Sequence, residues 1–158
     1  MRPIRTILQP ADFSPKSERA FELACQMARA LKARIVVIHV ASPAIQFWGR
    51  SSLALDQPRH EWRNAEEKLR SLECDDLEIE CVLVPGEPAA AIIRTALEID
   101  AGLIVMGSPR RSGWRWFHGA SVAEAVALEA PCPVLTTCAS VIGTIPRPGR
   151  RNWSLQNS

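Results

Sequence analysis

Residues 104–126 read Ile104-Val-Met-Gly-Ser-Pro-Arg-Arg-Ser-Gly-Trp-Arg-Trp-Phe-His-Gly-Ala-Ser-Val-Ala-Glu-Ala-Val126 and decide how the chain folds. The apolar run from Leu103 to Met106 predicts a buried strand that breaks at Gly107. Ser121 and Glu124 have the spacing of a capping box, which predicts a helix beginning there. A strand that leads through a loop to a helix N-terminus offers free N–H groups and a positive dipole end to an anion. We therefore expect an anion site in this stretch.

The rest of the chain alternates predicted strands with predicted helices. Apolar runs predict strands at 4–8, 35–40, 77–84, 103–106 and 134–138. Helical spacing and capping signals predict helices at 15–31, 59–72, 88–101 and 122–130. Two of these helices have one apolar face each: Ala20, Phe21, Ala24, Ala28 and Leu31, and Ala89, Ile92, Ile93, Ala96 and Leu97. Five strands that alternate with helices predict an α/β fold, a three-layer α/β/α sandwich around a parallel sheet.

Two of the strands differ in the burial that their patterns predict. The run from Ile35 to Val40 is apolar throughout, which is typical of a central strand covered on both faces. Residues 77–84 alternate apolar side chains with Glu78 and Glu80, which indicates a half-exposed edge strand. In such sheets ligands bind beyond the carboxyl ends of the strands where the strand order reverses. That rule points to residues 10–12 and 107–121.

Composition and charge exclude several classes of protein. The 158 residues are 47% apolar and 23% charged, which is typical of one globular domain. A net charge of only +2 argues against a nucleic-acid partner. No apolar run approaches the length of a membrane span or a signal peptide, so we expect no membrane partner and a cytoplasmic protein. Five cysteines without a C-x-x-C pair favour buried, reduced thiols over disulfides or a metal site: 25, 74, 81, 132 and 138.

Two segments carry little apolar periodicity. Residues 41–58 form a long polar connection, which predicts a flap or a partly disordered segment. Residues 141–158 hold two prolines, two glycines and three arginines, a composition that favours a flexible C-terminal tail. We therefore assign residues 1–140 to the domain and residues 141–158 to the tail.

Five short motifs, in order, resemble the universal stress protein (UspA-like) family. They are Pro10-Ala-Asp-Phe-Ser14, the His39-Val40 strand end, Gly86-Glu-Pro-Ala, Leu103-Ile-Val-Met-Gly-Ser108, and Ser121-Val-Ala-Glu with the later Ala130-Pro-Cys-Pro-Val. The resemblance implies a Rossmann-like fold of the adenine nucleotide alpha hydrolase type with strand order 3-2-1-4-5. It also implies a homodimer paired through the fifth strand, Val134 to Cys138, and a regulatory role in stress without defined catalysis.

One branch of that family binds ATP or another adenine nucleotide across the ends of strands 1 and 4, with Mg²⁺ present only alongside the nucleotide. The resemblance implies these binding residues here: Pro10, Ala11, Asp12, Val40, Met106, Gly107, Arg110, Ala120, Ser121 and Val122. The branch carries Gly-x-x-Gly-x9-Gly-Ser/Thr, whereas this chain has Arg110 at the second glycine and Ala120 at the third. Asp12 resembles the residue that contacts the adenosine, although an acid before a helix also stabilises the helix dipole.

The change at the second glycine has two opposite consequences. Glycine allows a positive φ and a close approach of phosphate to the backbone, so arginine there costs about 1 kcal/mol if that conformation is needed. Arg110, Arg111 and Arg115 can instead neutralise phosphates with their side chains. The neighbouring aromatic residues, Trp114, Trp116 and Phe117, are suited to stacking on a base, contacting a partner or entering a membrane interface, although such residues more commonly pack within their own loop.

Other functions on similar folds fit less well. A phosphorelay receiver needs clustered acids after the first strand and a lysine after the fifth, and this chain has Asp12 alone and lysines only at 16, 32 and 68. A flavin carrier would need a hydroxyl-rich loop where Pro10-Ala-Asp-Phe stands. No Walker lysine or nucleophile dyad supports a nucleotide hydrolase, and His118 lacks a catalytic partner at triad spacing. The remaining alternative is a dimeric interaction module that binds no nucleotide and contacts an unidentified protein partner.

Overall fold

A computed structural model describes residues 3–41, 56–74, 76–108 and 121–138. Within these ranges five strands alternate with four helices. The strands are β1 (Thr6–Pro10), β2 (Arg34–Ala41), β3 (Ile79–Pro85), β4 (Leu103–Ser108) and β5 (Val134–Cys138). The helices are α1 (Pro15–Leu31), α2 (Asp56–Arg70), α3 (Pro88–Glu98) and α4 (Val122–Glu129).

The strands form one parallel sheet in the order β3-β2-β1-β4-β5, which confirms the predicted fold class and strand order. β1 lies at the centre, with Ile7 paired to Ile35 of β2 on one side and to Leu103 of β4 on the other. β3 and β5 are the edges of this sheet. The order reverses at β1, so the carboxyl ends of β1 and β4 flank a crevice suited to a ligand.

Alternating side chains place a separate apolar core on each face of the sheet. On one face, Ile7 and Ile35 pack with α1 and with Leu69 of α2. On the other face, Leu8 and Val36 pack with residues of α3 and α4. The result is the predicted three-layer sandwich, because every central strand buries side chains in both directions.

The C-terminal ends of β1 and β4 lie two residues beyond their predicted positions. β1 runs to Pro10 and not to Leu8, because the polar Gln9 is fully buried and its amide donates to the Pro10 carbonyl at 2.7 Å. The predicted break at Gly107 is wrong. β4 continues through Gly107 and Ser108, which pair with Thr137 and Cys138 of β5.

Some predicted core positions are exposed. Leu31 is 42% exposed and Leu97 is 63% exposed, and each lies in the last turn of its helix. The helix predicted to reach residue 72 ends at Arg70, and β3 begins at Ile79. Within the described ranges, no helix has the length and apolar character that a bilayer crossing requires. Most of the predicted flap and the whole predicted tail lie outside the described residues.

The four cysteines whose side chains are described are free thiols, as expected. Cys25 and Cys74 are buried and Cys132 is half-buried, but Cys81 is exposed because β3 is an edge strand. Burial raises the pKa of Cys25 to about 12, with a further contribution from its hydrogen bond to Cys74. Burial also raises the pKa of Cys81 and Cys132. At Cys25, Cys81 and Cys132, burial therefore favours the protonated thiol over the reactive thiolate.

Gly107 is required by crowding and not by its backbone angle. A Cβ atom placed there would lie 2.9 Å from the Lys16 Cβ and 3.0 Å from the Lys16 carbonyl carbon. Among the described glycines, Gly86 is the one with a positive φ, at 139°. The first turn of α1 therefore packs directly on the β4 backbone at Gly107.

We expect Gly107→Ala to lower the free energy of unfolding by about 1–3 kcal/mol, because the added methyl group overlaps backbone atoms of α1 that cannot move independently. Urea denaturation monitored by circular dichroism measures the loss. Gln26→Ala, at an exposed position of the same helix, is the control and should change stability by less than about 0.5 kcal/mol. Equal stability of Gly107→Ala and the unmodified protein would contradict the crowding argument.

Candidate functional site

A cavity of about 300 Å³ opens where the carboxyl ends of β1, β2 and β4 meet the first turns of α1, α3 and α4. It is the crevice at the reversal of strand order, where parallel α/β sheets bind their ligands. The lining residues are Pro10, Ala11, Asp12, Lys16, Ser17, Ile38, His39, Val40, Pro88, Ile92, Met106, Gly107, Ser121, Val122 and Ala123.

Eight of the ten residues predicted to bind a nucleotide line this cavity: Pro10, Ala11, Asp12, Val40, Met106, Gly107, Ser121 and Val122. The other two, Arg110 and Ala120, lie outside the described residues. So do Arg111, Arg115, the aromatic residues between 114 and 117, and His118. The structure thus brings together the ends of three strands and one helix that are distant in sequence.

One half of the cavity is apolar. Ile38 of β2, Ile92 of α3 and Met106 of β4 are each at most 5% exposed and form its inner surface. Val40 and Pro88, both half-buried, extend this surface toward the opening. Such a surface accepts a flat, apolar group.

A tight turn after β1 positions Asp12 at the opening. The Ala11 N–H donates to the Ile38 carbonyl at 2.8 Å, and the Asp12 N–H donates to the Ser17 hydroxyl at 3.2 Å. The Asp12 Oδ1 atom accepts a hydrogen bond from the Ser14 N–H at 2.9 Å and another from the Ser14 hydroxyl. These contacts fix the carboxylate through one oxygen and leave Oδ2 for a ligand.

His39 stabilises the same turn through contacts with Ala11 and Phe13. Its Nδ1 lies 2.7 Å from the Ala11 carbonyl oxygen, so Nδ1 carries the hydrogen and donates it. The ring centroid lies 4.7 Å from that of Phe13, with 31° between the planes. Phe13 has a left-handed backbone, with φ of 58°, which these contacts stabilise. His39 therefore holds the turn in the shape that presents Asp12.

Lys16 is a cationic residue of the cavity lining. Its backbone is fixed from two sides, by the packing against Gly107 and by the Thr137 hydroxyl, which donates to the Lys16 carbonyl at 3.3 Å. Asp12 and Lys16 thus give the lining one acidic and one basic residue.

The helix N-termini around the cavity differ in their free N–H groups. In α4 the capping box is present: Ser121 accepts from the Glu124 N–H at 3.2 Å, and Glu124 accepts from the Ser121 N–H at 3.0 Å. This box leaves the N–H groups of Val122 and Ala123, two cavity-lining residues, available to an anion.

The N-terminus of α3 is occupied by its own acid. The Glu87 carboxylate accepts from the Ala89 N–H at 3.0 Å and from the Ala90 N–H at 2.7 Å. An anion in the cavity therefore finds its backbone donors at α4 and not at α3.

Sequence reasoning missed seven of the lining residues: Lys16, Ser17, Ile38, His39, Pro88, Ile92 and Ala123. Lys16 and Ser17 were detectable, because the first turn of the helix after β1 must lie beside that strand's carboxyl end. His39 stood in a recognised motif but was assigned no role. Among the described residues, no cluster of three or more His, Cys, Asp or Glu side chains could hold a metal ion.

The chain is similar to known proteins along most of its length. A sequence model of the Universal stress protein family matches residues 3–137. The chain is 31% identical over 132 residues to a protein of Thermus aquaticus named "Universal stress protein in QAH/OAS sulfhydrylase 3'region". The alignment covers 83% of this chain and 96% of the relative.

Solved structures share the fold. A universal stress protein in complex with cAMP superimposes with a TM-score of 0.63 at 24% identity, covering 88% of this chain and 100% of the other. The universal stress protein from Archaeoglobus fulgidus in complex with dAMP gives a TM-score of 0.55 at 24% identity, covering 86% and 98%. The match of the family model from residue 3 to residue 137 and the 31% identity to the Thermus aquaticus protein show that the chain belongs to the universal stress protein family.

Proposed function

We propose that this protein is a regulatory, stress-response protein that binds an adenine nucleotide in the cavity between β1, β2 and β4, and that it acts by binding and not by catalysis. The observation that carries this proposal is the division of a single cavity into an apolar half and a charged half with free backbone donors. An adenine nucleotide has a matching division between its flat base and its charged phosphates. The proposed ligand is ATP or an adenine nucleotide with fewer phosphates.

The adenine base fits the apolar half. Ile38, Ile92 and Met106 line this half with apolar side chains, so a flat base placed there displaces no polar partner. Val40 and Pro88 cover the edge of this surface. A volume of about 300 Å³ is at the small end for ligand pockets, which suits one nucleoside with its phosphates near the opening.

The ribose fits beside Asp12. Its carboxylate is held through Oδ1 by Ser14, so Oδ2 can accept hydrogen bonds from sugar hydroxyl groups. A charged acceptor makes hydrogen bonds roughly twice as strong as those of a neutral one.

The phosphates fit at the N-terminus of α4. The N–H groups of Val122 and Ala123 and the positive end of the helix dipole favour an anion there, and the Ser121 hydroxyl adds a polar contact. Lys16 supplies the positive side chain among the described lining residues. With a polyphosphate, Mg²⁺ would enter with the ligand, since the family's Mg²⁺ accompanies the nucleotide.

Two members of the same family with this fold were solved with cAMP and with dAMP. Both ligands are adenine nucleotides with one phosphate, the size that the cavity suits best. These complexes support the choice of an adenine nucleotide over other anions.

We expect Asp12→Ala to weaken the binding of AMP and ATP roughly tenfold or more, because the ribose loses a charged acceptor. Isothermal titration calorimetry measures the dissociation constants. Ser14→Ala is the matched control: it removes the hydroxyl contact to Asp12 and the helix cap, costing about 1 kcal/mol of stability, but it keeps the carboxylate and its hydrogen bond from the backbone N–H of residue 14. Equal losses in the two variants would show that the turn and not the carboxylate matters.

We expect Lys16→Met to weaken AMP roughly tenfold and adenosine less than about twofold, because only the phosphate interacts with the ammonium group. Arg5→Met is the control, since it removes one positive charge at the opposite end of β1. If the unmodified protein binds neither AMP, cAMP nor ATP, the nucleotide proposal is wrong and the interaction module without nucleotide takes its place.

We also propose that two copies pair through β5. β5 is an edge of the sheet, and Leu135 is 36% exposed on it. Leu128 and Val122 of α4, 83% and 39% exposed, add further apolar surface on the helix that packs beside β5. An unpaired edge with exposed leucine favours pairing with a second copy, which satisfies backbone groups on both.

Light scattering of the full chain should give twice the 17.4 kDa chain mass. Leu135→Lys should yield the single-chain mass at the same concentration, because a charge replaces an apolar contact at the paired edge. Leu97→Lys is the control, because it makes the same substitution at an exposed leucine of α3, away from β5. It should leave the doubled mass unchanged. A single-chain mass for the unmodified protein at tens of micromolar would refute the dimer.

A further inference from the structure

Two of the described cysteines lie in contact with each other. Cys25 is in the second half of α1, and Cys74 follows α2 on the short connection to β3. Both belong to the apolar core that β1 and β2 share with α1 and α2, and a hydrogen bond joins their thiols. The contact is a product of tertiary packing, because β2 and α2 lie between the two positions along the chain.

The two sulfur atoms can form a disulfide with little movement. A disulfide holds its sulfur atoms about 2 Å apart, so thiols in hydrogen-bond contact must approach each other by roughly 2 Å. Cys25 is held in a regular helix, whereas Cys74 begins a turn in which its carbonyl accepts from the Leu77 N–H at 3.0 Å. A connection between two elements adjusts more easily than the inside of a helix. Cys74 therefore supplies the movement.

Cys74 also lines a hollow at the surface. The hollow has a volume of about 300 Å³, and its lining residues are Leu72, Glu73, Cys74, Leu77 and Ile79. The other four lining residues are exposed or half-buried, and Cys74 itself keeps 8% of its surface exposed. Cys25 does not line the hollow. A small reagent that enters from solvent therefore meets Cys74 before Cys25.

The two thiols also differ in how firmly they hold a proton. Burial, with a further contribution from the hydrogen bond to Cys74, raises the pKa of Cys25 to about 12. A hydrogen bond raises a pKa when it stabilises the protonated form, so the Cys25 thiol is the donor and the Cys74 sulfur is the acceptor. Cys25 thus keeps its proton, and Cys74 is the sulfur that attacks a reagent first.

We propose that Cys25 and Cys74 are a modification site, at which hydrogen peroxide or a similarly small peroxide converts the two thiols to a disulfide. The Cys74 thiol loses its proton, and its sulfur attacks one oxygen of the peroxide. The O–O bond breaks, hydroxide leaves and takes up a proton to become water, and Cys74 becomes a sulfenic acid. The site therefore needs a peroxide that fits beside Cys74.

Cys25 completes the reaction. Its sulfur attacks the Cys74 sulfur, the S–O bond breaks, and the leaving hydroxide takes the Cys25 proton to form a second water. Two thiols and one hydrogen peroxide thus give one disulfide and two water molecules, and two electrons pass from the sulfur atoms to the peroxide.

The disulfide ties α1 to the chain that follows α2. The loop that it closes contains β2 and α2, and α2 packs against β2 and β3 in the described structure. A cross-link between residues this distant in sequence restricts the unfolded chain more than the folded one. Oxidation at this site therefore stabilises the fold, whereas a sulfenic acid left in the core would place a polar group there.

Peroxide treatment of the full chain at neutral pH, followed by alkylation of the remaining thiols, tests the proposal. Digestion with trypsin and Asp-N without reduction separates Cys74 from Cys81, because Asp75 lies between them in sequence. Mass spectrometry should find the Cys25 peptide joined to the Cys74 peptide, with the loss of two hydrogen atoms. The melting temperature should rise by roughly 5–10 °C, and dithiothreitol should reverse the rise.

Variants separate the two thiols from each other and from the rest. Cys25→Ala should leave a sulfenic acid at Cys74 that dimedone labels, whereas Cys74→Ala should leave Cys25 unlabelled, because Cys25 does not line the hollow. Neither variant should gain melting temperature on oxidation. Cys81→Ala is the matched control: this thiol is exposed, so the disulfide and the stabilisation should both remain when it is removed.

Three results would overturn the proposal. The first is recovery of Cys25 and Cys74 as free thiols after peroxide treatment, which would leave them as apolar core residues. The second is a disulfide that joins Cys81 to either of them or to a second chain. The third is dimedone labelling of Cys25 in Cys74→Ala, which would contradict access through the hollow. None of these measurements involves a nucleotide, so the two proposals fail independently.

Discussion

The close contact between Lys16 and Gly107 is the constraint on which the rest of the structure depends. It brings the first turn of α1 onto the backbone of β4, and the hydroxyl of Thr137 extends the contact to β5. With α1 fixed there, the turn between β1 and α1 is held at both ends, and that turn carries Asp12. A side chain at 107 would move the helix, the turn and the carboxylate together.

This constraint changes the meaning of the glycine that opens the family's loop motif. Gly107 is kept by helix packing, whatever ligand is present, so its presence alone does not identify a nucleotide-binding chain. The features that do bear on ligands are the partly free N-terminus of α4 and the carboxylate of Asp12. The Glu87 carboxylate already accepts the N–H groups at the start of α3, so those donors are not free to bind an anion.

The sequence predicted the fold well, because its signals are local and strong. Alternating strands and helices, the Ser14 and Ser121 caps and the apolar run of β2 all appear in the structure as expected. The errors occurred where tertiary contacts outweigh local preference. Gln9 was predicted to follow the end of β1, but it lies buried within the strand, where its side-chain amide is hydrogen-bonded. Gly107 was predicted to break β4, but it pairs with β5 in the sheet.

The candidate site was predicted only as far as motifs reach. Residues in the recognised motifs converge on one cavity, but Lys16 and Ile92 lie outside those motifs and join the site through helix packing alone. The contact of His39 with Ala11 could not be predicted from the sequence either, because it joins the ends of two strands that are separated along the chain by α1. Such contacts follow from the register of β1 and β2, which no local pattern encodes.

The Ser17 hydroxyl connects the turn after β1 to the interior of the sheet. It accepts a hydrogen bond from the Asp12 N–H at 3.2 Å, and the Gln9 Nε2 atom approaches it at 3.5 Å. One small, buried side chain therefore couples the position of the cavity's acidic residue to the packing of the central strand, so a larger residue at 17 would disturb both together.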